Sequence, residues 1–277
     1  MELYRTTSIS ISKIIAESYS TSFSAGMRLL NVTEREAIYA LYGFVRIADE
    51  IVDTFHEFDK KLLLDEFIQD TYKAIARGVS SNPVLHSFQW AVNEFKIGKE
   101  LIGSFFESME MDLTNHKYRD SEFKQYVYGS ASVVGLMCLA VFYPDNKDYY
   151  EQLVPSAKRL GEAFQKVNFL RDIRSDKEDR GRIYFPGLQI DSFNEDMKRQ
   201  IEEDIGNDFN MALTGIRKLD NRIAFGVYLA YRYYFELYRK IIKKKPEQLL
   251  QERIRLNGLQ RIYLLANSTV RYKLGIY

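Results

Sequence analysis

Apolar positions recur along this chain at intervals of three and four residues, the repeat of a helix that buries one face. The repeat predicts helices over 34–54, 60–77, 83–95, 99–113, 122–142, 149–176, 194–219, 222–245 and 246–267. Thr33 reads as the cap of the first, and with Glu36 it fits a capping box. Gly78 ends the second. The stretch 122–142 is apolar nearly all round, which predicts a buried central helix. Pro155 either kinks the helix over 149–176 or marks its start. Residues 177–193, with Gly181, Pro186 and Gly187, read as irregular. No segment alternates with a period of two between hairpin turns, and there is no repeat, linker or low-complexity tract. The pattern predicts one all-α domain over residues 1–277, with any site inside a helical bundle.

Composition narrows the function classes. The 277 residues carry a net charge of +1, which gives no electrostatic support for nucleic-acid binding. A single cysteine, Cys138, excludes an internal disulfide framework and fits a reducing compartment. The start, MELYRTTSIS, has no apolar signal segment. The most apolar run, 131–142, is shorter than the roughly 20 residues of a membrane span. A soluble cytoplasmic protein is therefore expected. The 20 tyrosines and 18 phenylalanines predict an aromatic-lined interior.

Two acidic clusters carry the candidate chemistry. One is Asp49-Glu50-Ile51-Val52-Asp53; the other is Asn168-Phe169-Leu170-Arg171-Asp172, followed by Asp176. Each sets two aspartates four residues apart, on one helix face, where like charges repel unless a cation lies between them. At about 100° per residue, Tyr42, Arg46, Asp49 and Asp53 fall within roughly 60° of one another. Gln165, Asn168, Asp172 and Asp176 fall within roughly 80°, with Arg171 at the edge. Asp and Asn are hard oxygen donors suited to Mg²⁺, and Arg matches phosphate oxygens. Two such faces turned together would make a cage for Mg²⁺ and a polyphosphate. The competing reading is a solvated acidic face; the apolar neighbours and scarcity of lysine in the second cluster count against it. A di-iron site has one echo, Asp53 to His56, but the second cluster supplies no histidine.

These residues in this order resemble the squalene/phytoene synthase family of head-to-head prenyl transferases. The first family motif is an arginine ahead of D-x-x-x-D, here Arg46 with Asp49 and Asp53. The second, L-G-x-x-x-Q-x-x-N-x-x-R-D-x-x-x-D, is matched without departure from Leu160 to Asp176. An R-x-Y-F-P segment follows as Arg182-Ile183-Tyr184-Phe185-Pro186. Ser20-Thr21-Ser22-Phe23 and Tyr126-Val127-Tyr128-Gly129 match two further segments, so the resemblance covers nearly the whole chain.

The resemblance implies an isoprenoid-synthase-type helical bundle with a central apolar cavity. It implies that Asp49, Asp53, Asp172 and Asp176, with Asn168, bind Mg²⁺, for which Mn²⁺ can stand in. It assigns contacts with prenyl diphosphate to Ser20, Ser22, Tyr42, Arg46, Gln165, Arg171, Tyr238 and Arg253, and places Tyr126 and Tyr184 at the reaction centre. Thr21 stands where some members carry a basic residue, which leaves one phosphate contact unaccounted for. Residue by residue, plainer roles remain open: Ser20 and Ser22 as turn or cap residues, the tyrosines as core residues, Arg253 as a solvated helix residue, Asp112 as a cavity or surface acid.

No protein nucleophile is evident, and leaving-group chemistry needs none: cations neutralise the departing diphosphate and an aromatic tunnel keeps water from the carbocation. The wording around Asp49 and Asp53 is similar to the bacterial phytoene-forming branch, which implies two geranylgeranyl diphosphates as substrate and no NADPH. Squalene or dehydrosqualene from farnesyl diphosphate is the nearest alternative. A catalytically silent helical module is a further one, against which the four intact aspartates argue. A long hydrocarbon product would favour peripheral membrane contact; oligomeric state is not readable.

Overall fold

The computed structural model describes residues 1–276, without the side chains of Thr21 and Ser22. Thirteen α-helices form among the described residues: α1 Glu2–Tyr19, α2 Thr21–Met27, α3 Val32–Asp53, α4 Lys60–Arg77, α5 Pro83–Glu94, α6 Lys99–Thr114, α7 Asp120–Val127, α8 Val133–Phe142, α9 Lys147–Arg180, α10 Glu195–Ile216, α11 Asn221–Ile242, α12 Pro246–Leu249 and α13 Gly258–Lys273. The all-α expectation holds. The sole β feature among these residues is one isolated bridge, Lys117 to Ile183.

Several boundaries differ from the sequence pattern, each for a local reason. The cap of α3 is Asn31, whose side chain accepts from the Glu34 N–H at 3.1 Å; Thr33 lies inside the helix. Helix α9 runs unbroken through Pro155 and on to Arg180, where Gly181 takes the left-handed conformation (φ 68°) that few other residues adopt cheaply. The expected helix over 246–267 is instead short α12, an irregular segment, and α13 capped by Asn257. Helix α1 escaped the apolar repeat because it is rich in hydroxyls. Thr6, Thr7 and Ser10 satisfy themselves by donating to carbonyls four residues back, at 2.8–2.9 Å.

The central apolar helix forms as expected, but with a π-helical turn, Tyr128–Ser132, joining α7 to α8. Such turns widen a helix and re-aim its side chains. The run Asp120–Phe142 is long and apolar enough to cross a membrane, contrary to the shorter stretch read from sequence, yet 67% of its most apolar window is buried in the bundle. It serves as a core helix.

Two apolar clusters flank this element. One gathers α3, α4, α5, α6 and α8 around Phe44, which stacks on Phe88 with ring centroids 3.7 Å apart. The other gathers α9, α10 and α11 around Phe209 and Tyr231. Close backbone contact joins elements across the bundle. A β-carbon on Gly161 would lie 2.4 Å from the Ala131 carbonyl oxygen, and one on Gly135 2.6 Å from that of Ala157. Likewise α2 sits against α11 where Gly26 meets Gly226. An ion network of buried Lys166 with buried Asp208 (2.7 Å) and exposed Asp204 (2.5 Å) fastens α9 to α10.

The contact of α9 with the π turn leaves no room for a methyl group at Gly161. Gly161→Ala is expected to destabilise the fold by about 1–3 kcal/mol through overpacking against backbone. Calorimetry should show a fall in Tm of roughly 2–4 °C per kcal/mol for a chain of this size. Gly258→Ala, with nothing within 4 Å of the added carbon, should melt like the parent. Equal melting of Gly161→Ala would disprove the close approach.

Candidate active site

Helices α3 and α9 each present the polar stripe read from their sequences to one cavity of about 500 Å³. The cavity follows α9 from Leu153 to Arg180. Its polar part is lined by Arg46, Asp49, Asp53, Gln165, Asn168, Arg171, Asp172 and Asp176. The part toward Leu153 is lined by side chains such as Leu30, Leu139, Phe142 and Leu219. A charged mouth and an apolar barrel thus share one space.

The repulsion expected between aspartates is answered by arginines. Arg180 spans the two motifs: it reaches Asp53 of α3 at 3.3 Å and Asp176 of α9 at 2.5 Å. Asp53 also accepts from Arg182 at 2.6 Å. Asp172 is gripped on both oxygens by Arg253, at 2.7 and 3.0 Å, and by Arg171. Arg253 lies in the irregular segment before α13, so it is neither helical nor simply solvated. Arg46 pairs closely with Glu50, lies 3.9 Å from Asp49 and covers the Tyr19 ring at 4.2 Å, a cation–π contact.

These surroundings split the four aspartates. Burial pushes the Asp49 carboxyl up to about 8, with repulsion from Asp53 adding to it and Arg46 opposing. Asp49 keeps 32% of its side-chain exposure, and what it faces is the cavity. Burial likewise raises Asp176 to about 7, against the pull of Arg180. Asp172 is buried too, yet its two arginines hold it below the usual carboxylate range.

Beneath Asp53 lies a second polar centre that the sequence left open. Asp112 is buried and accepts from Tyr126 at 2.8 Å, Tyr118 at 3.1 Å and Tyr184 at 3.3 Å, with Arg182 3.4 Å away. Burial raises its carboxyl to about 6 against the Arg182 charge. Tyr126 and Tyr184 stack at 5.1 Å, and Phe169 covers Tyr184 at 4.1 Å. Burial among these groups lifts both phenols well above their ordinary value, so they stay protonated. Both tyrosines border the cavity, and both are also core residues. Cys138 lines the apolar part, where burial pushes its thiol up to about 12 and leaves it inert.

The remaining expected residues are placed unevenly. Ser20 borders the cavity and also caps α2, accepting from the Phe23 N–H at 3.3 Å. Tyr42 lines the cavity and stacks on Phe23 at 5.7 Å. Gln165 donates to Ser130 of the π turn at 3.4 Å. The Ser22 side chain lies outside the described residues. Tyr238 does not reach the cavity. Its hydroxyl donates to the Glu202 carbonyl at 2.6 Å within the α10–α11 core. Tyr234, one turn earlier, lines the cavity instead and stacks on Phe164 at 3.9 Å. Arg180 carried a legible signal, since it continues the α9 stripe four residues past Asp176. Arg182 was visible only as part of the R-x-Y-F-P segment and Asp112 only as a cavity or surface acid; their pairing carried no signal, because only packing brings them together.

The donor set suits a hard divalent cation. Asn168 aims a buried Oδ1 with no hydrogen-bond partner, and four carboxylates share its cavity. No three acidic or histidine side chains among the described residues stand close enough to hold one ion by themselves. An ion at this site would therefore take only some of its ligands from the protein.

Comparison with known proteins places the chain in a family. The profile of the squalene/phytoene synthase family matches residues 16–194, and the chain belongs to that family. A 4,4'-diapophytoene synthase of Staphylococcus haemolyticus is 28% identical over 193 residues, 69% of this chain and 66% of that protein. A phytoene synthase of Arthrospira platensis is 30% identical over 202 residues, 69% of this chain and 64% of that one. The chain thus spans slightly less than two thirds of either relative. The crystal structure of a dehydrosqualene synthase superposes with a TM-score of 0.80 over 98% of both chains at 18% identity, which shows the same fold.

The split between the aspartates predicts opposite pH behaviour. Asp49 binds its proton more tightly folded than unfolded, so it weakens the fold as pH rises from the ordinary carboxylate range to about 8. Asp172, held low, stabilises the fold above that ordinary range, and this is lost as pH falls through its folded value. In chelator-treated protein, Asp49→Asn should raise Tm above pH 8 and leave it nearly unchanged in acid. Asp172→Asn should lower Tm at neutral pH and do so less in acid. The same sign for both variants at high pH, by scanning calorimetry, would contradict these assignments.

Proposed function

We propose that this member of the squalene/phytoene synthase family joins two identical prenyl diphosphates head to head, the whole described chain acting as one unit. One observation carries the reading: the two aspartate stripes and their arginines line the mouth of a cavity whose remainder is apolar. A diphosphate with a long hydrocarbon tail has that same division of polarity.

Each side chain then has a task. Arg46, Arg171 and Arg253 present guanidinium groups that match diphosphate oxygens, and Tyr42, Ser20 and Gln165 offer further polar contacts. Asp49, Asp53, Asp172 and Asp176, with the unpartnered Asn168 oxygen, would hold Mg²⁺. Bound there, Mg²⁺ would supply positive charge opposite the diphosphate as it leaves. The arginines supply the same kind of stabilisation from fixed positions. The ring faces of Tyr126, Tyr184 and Phe169 lie beside the mouth, where they stabilise an allylic cation. The apolar walls exclude water from it. Chemically, the first coupling forms a cyclopropyl diphosphate with loss of one diphosphate and one proton. Its ionisation and rearrangement release the second diphosphate and a second proton.

Geranylgeranyl diphosphate giving phytoene, without NADPH, is the favoured substrate assignment. It rests on the wording around Asp49 and Asp53 and on the similarity to phytoene synthases. Farnesyl diphosphate giving dehydrosqualene has its own support in the diapophytoene synthase relative and in the fold match over 98% of both chains.

Purified protein with Mg²⁺ and geranylgeranyl diphosphate is expected to yield phytoene and free diphosphate. Mass spectrometry across both prenyl lengths, with and without NADPH, reads the outcome. Release of diphosphate from neither substrate would overturn the proposal, and turnover of farnesyl diphosphate alone would select the second assignment. Asp172→Asn is expected to lower kcat by roughly 10²–10³, the scale of losing one preorganised electrostatic group. Near-normal turnover with unchanged metal dependence would remove Asp172 from the site.

A further inference from the structure

Helix α13 packs one face on α11 and leaves the opposite one without a protein partner. Its inward face buries Leu264 and Ser268, and Tyr233 of α11 donates to the Arg261 carbonyl at 3.0 Å. Its outward face presents Leu259, Ile262, Tyr263, Ala266, Val270 and Leu274, all exposed. By helix geometry these six fall within about 120° of one another, a continuous apolar stripe. Leu259 is 80% exposed, and Ile262 and Tyr263 about two thirds. Water-facing apolar side chains at this density mark a surface that something covers.

The charge around the stripe says what kind of surface that is. From Arg239 to the chain end there are ten lysines and arginines against two glutamates, a net +8. The chain as a whole carries +1, so everything before Arg239 carries −7. No acid follows Glu252, so α13 itself is free of negative charge. The basic end of α11 adjoins the start of α13: Lys240 donates to the Arg255 carbonyl at 2.5 Å and to Gln260 at 3.2 Å. Lys243, Lys245, Arg255 and Lys273 are exposed around it. A second copy of the chain seated on the same face would set basic residue against basic residue. An apolar stripe within a field of positive charge instead fits an anionic bilayer, whose headgroups meet the cations while its acyl chains accept the stripe.

We propose that α13 is a docking helix that lays the protein on anionic phospholipid membranes, with the basic end of α11 as its electrostatic guide. The contact does not depend on which substrate the cavity takes. Lipid lies along the axis of α13 rather than being crossed by it, since sixteen residues span only about 24 Å.

Sedimentation of the full chain with unilamellar vesicles tests this. Phosphatidylcholine vesicles carrying phosphatidylserine should capture at least about tenfold more protein than phosphatidylcholine alone, and added salt should weaken the capture. Ile262→Asp with Tyr263→Asp should abolish it, and Lys243→Glu with Lys245→Glu should reduce it about tenfold. Leu3→Asp, at an exposed apolar position on α1, should bind like the parent. Thermal melting of each variant should stay at the parental value, because the residues changed are exposed. Absence of capture, equal capture on both vesicle types, or parental capture by the Ile262/Tyr263 variant would overturn the proposal. So would light scattering that shows a dimer dissolved by that same variant, since the stripe would then be the seat of a second copy.

Discussion

Buried negative charge is the constraint on which this molecule turns. Four aspartates and Asp112 line one cavity, and taking each from water is unfavourable unless a cation or a proton compensates it. The structure uses both means. Arg171 and Arg253 hold Asp172 ionised, Arg180 and Arg182 serve Asp53, while Asp49 and Asp176 sit where burial favours the proton. Compensation also does mechanical work. Arg180 links α3 to α9, and Arg182 links the segment after α9 to the end of α3. The helices that carry the motifs are thereby held in register by the charges they carry.

The same constraint explains the shape of the site. Charge gathers at the C-terminal parts of α3 and α9, and the apolar length of the cavity runs back along α9 toward Leu153. Aromatic rings occupy the boundary. Tyr126, Tyr184 and Phe169 stack there with their hydroxyl groups turned to Asp112 where they have them, so one ring layer faces both a polar centre and an apolar tunnel. The π turn at Tyr128–Ser132 and the close contacts of Gly135 and Gly161 bring α8 against α9 along this boundary. Backbone proximity, charge compensation and aromatic packing therefore converge on the same stretch of α9.

The chain is also divided in charge along its length, and that division has a surface as its consequence. The acidic part builds the bundle and its polar mouth; the basic end builds α13 and the tip of α11. Arg253 belongs to the basic end yet grips Asp172 of the mouth. The outward-facing helix and the interior site are thus joined by a few residues of irregular chain.

The helices over 34–54, 60–77, 83–95 and 99–113 were legible because a period of 3.6 is a local property, written wherever one face is buried. The two stripes were legible for the same reason: residues four apart share a face whatever lies opposite. Helix α1 was hidden because Ser8 and Ser12 take places on its buried face, and the break between α12 and α13 because short helices leave little period to read. Local rules also could not say which of Tyr234 and Tyr238, one helical turn apart, meets the cavity; the packing of α11 on α10 chose Tyr234. Nor could they bring Asp112, Arg182 and Asp53 together, since these stand on three elements far apart in the chain. Sequence alone determined the helical class and the two acid-bearing faces, because both follow from near-neighbour geometry. Tertiary structure alone decided which charges compensate which, because Coulomb and burial energies depend on distances that only the folded chain defines.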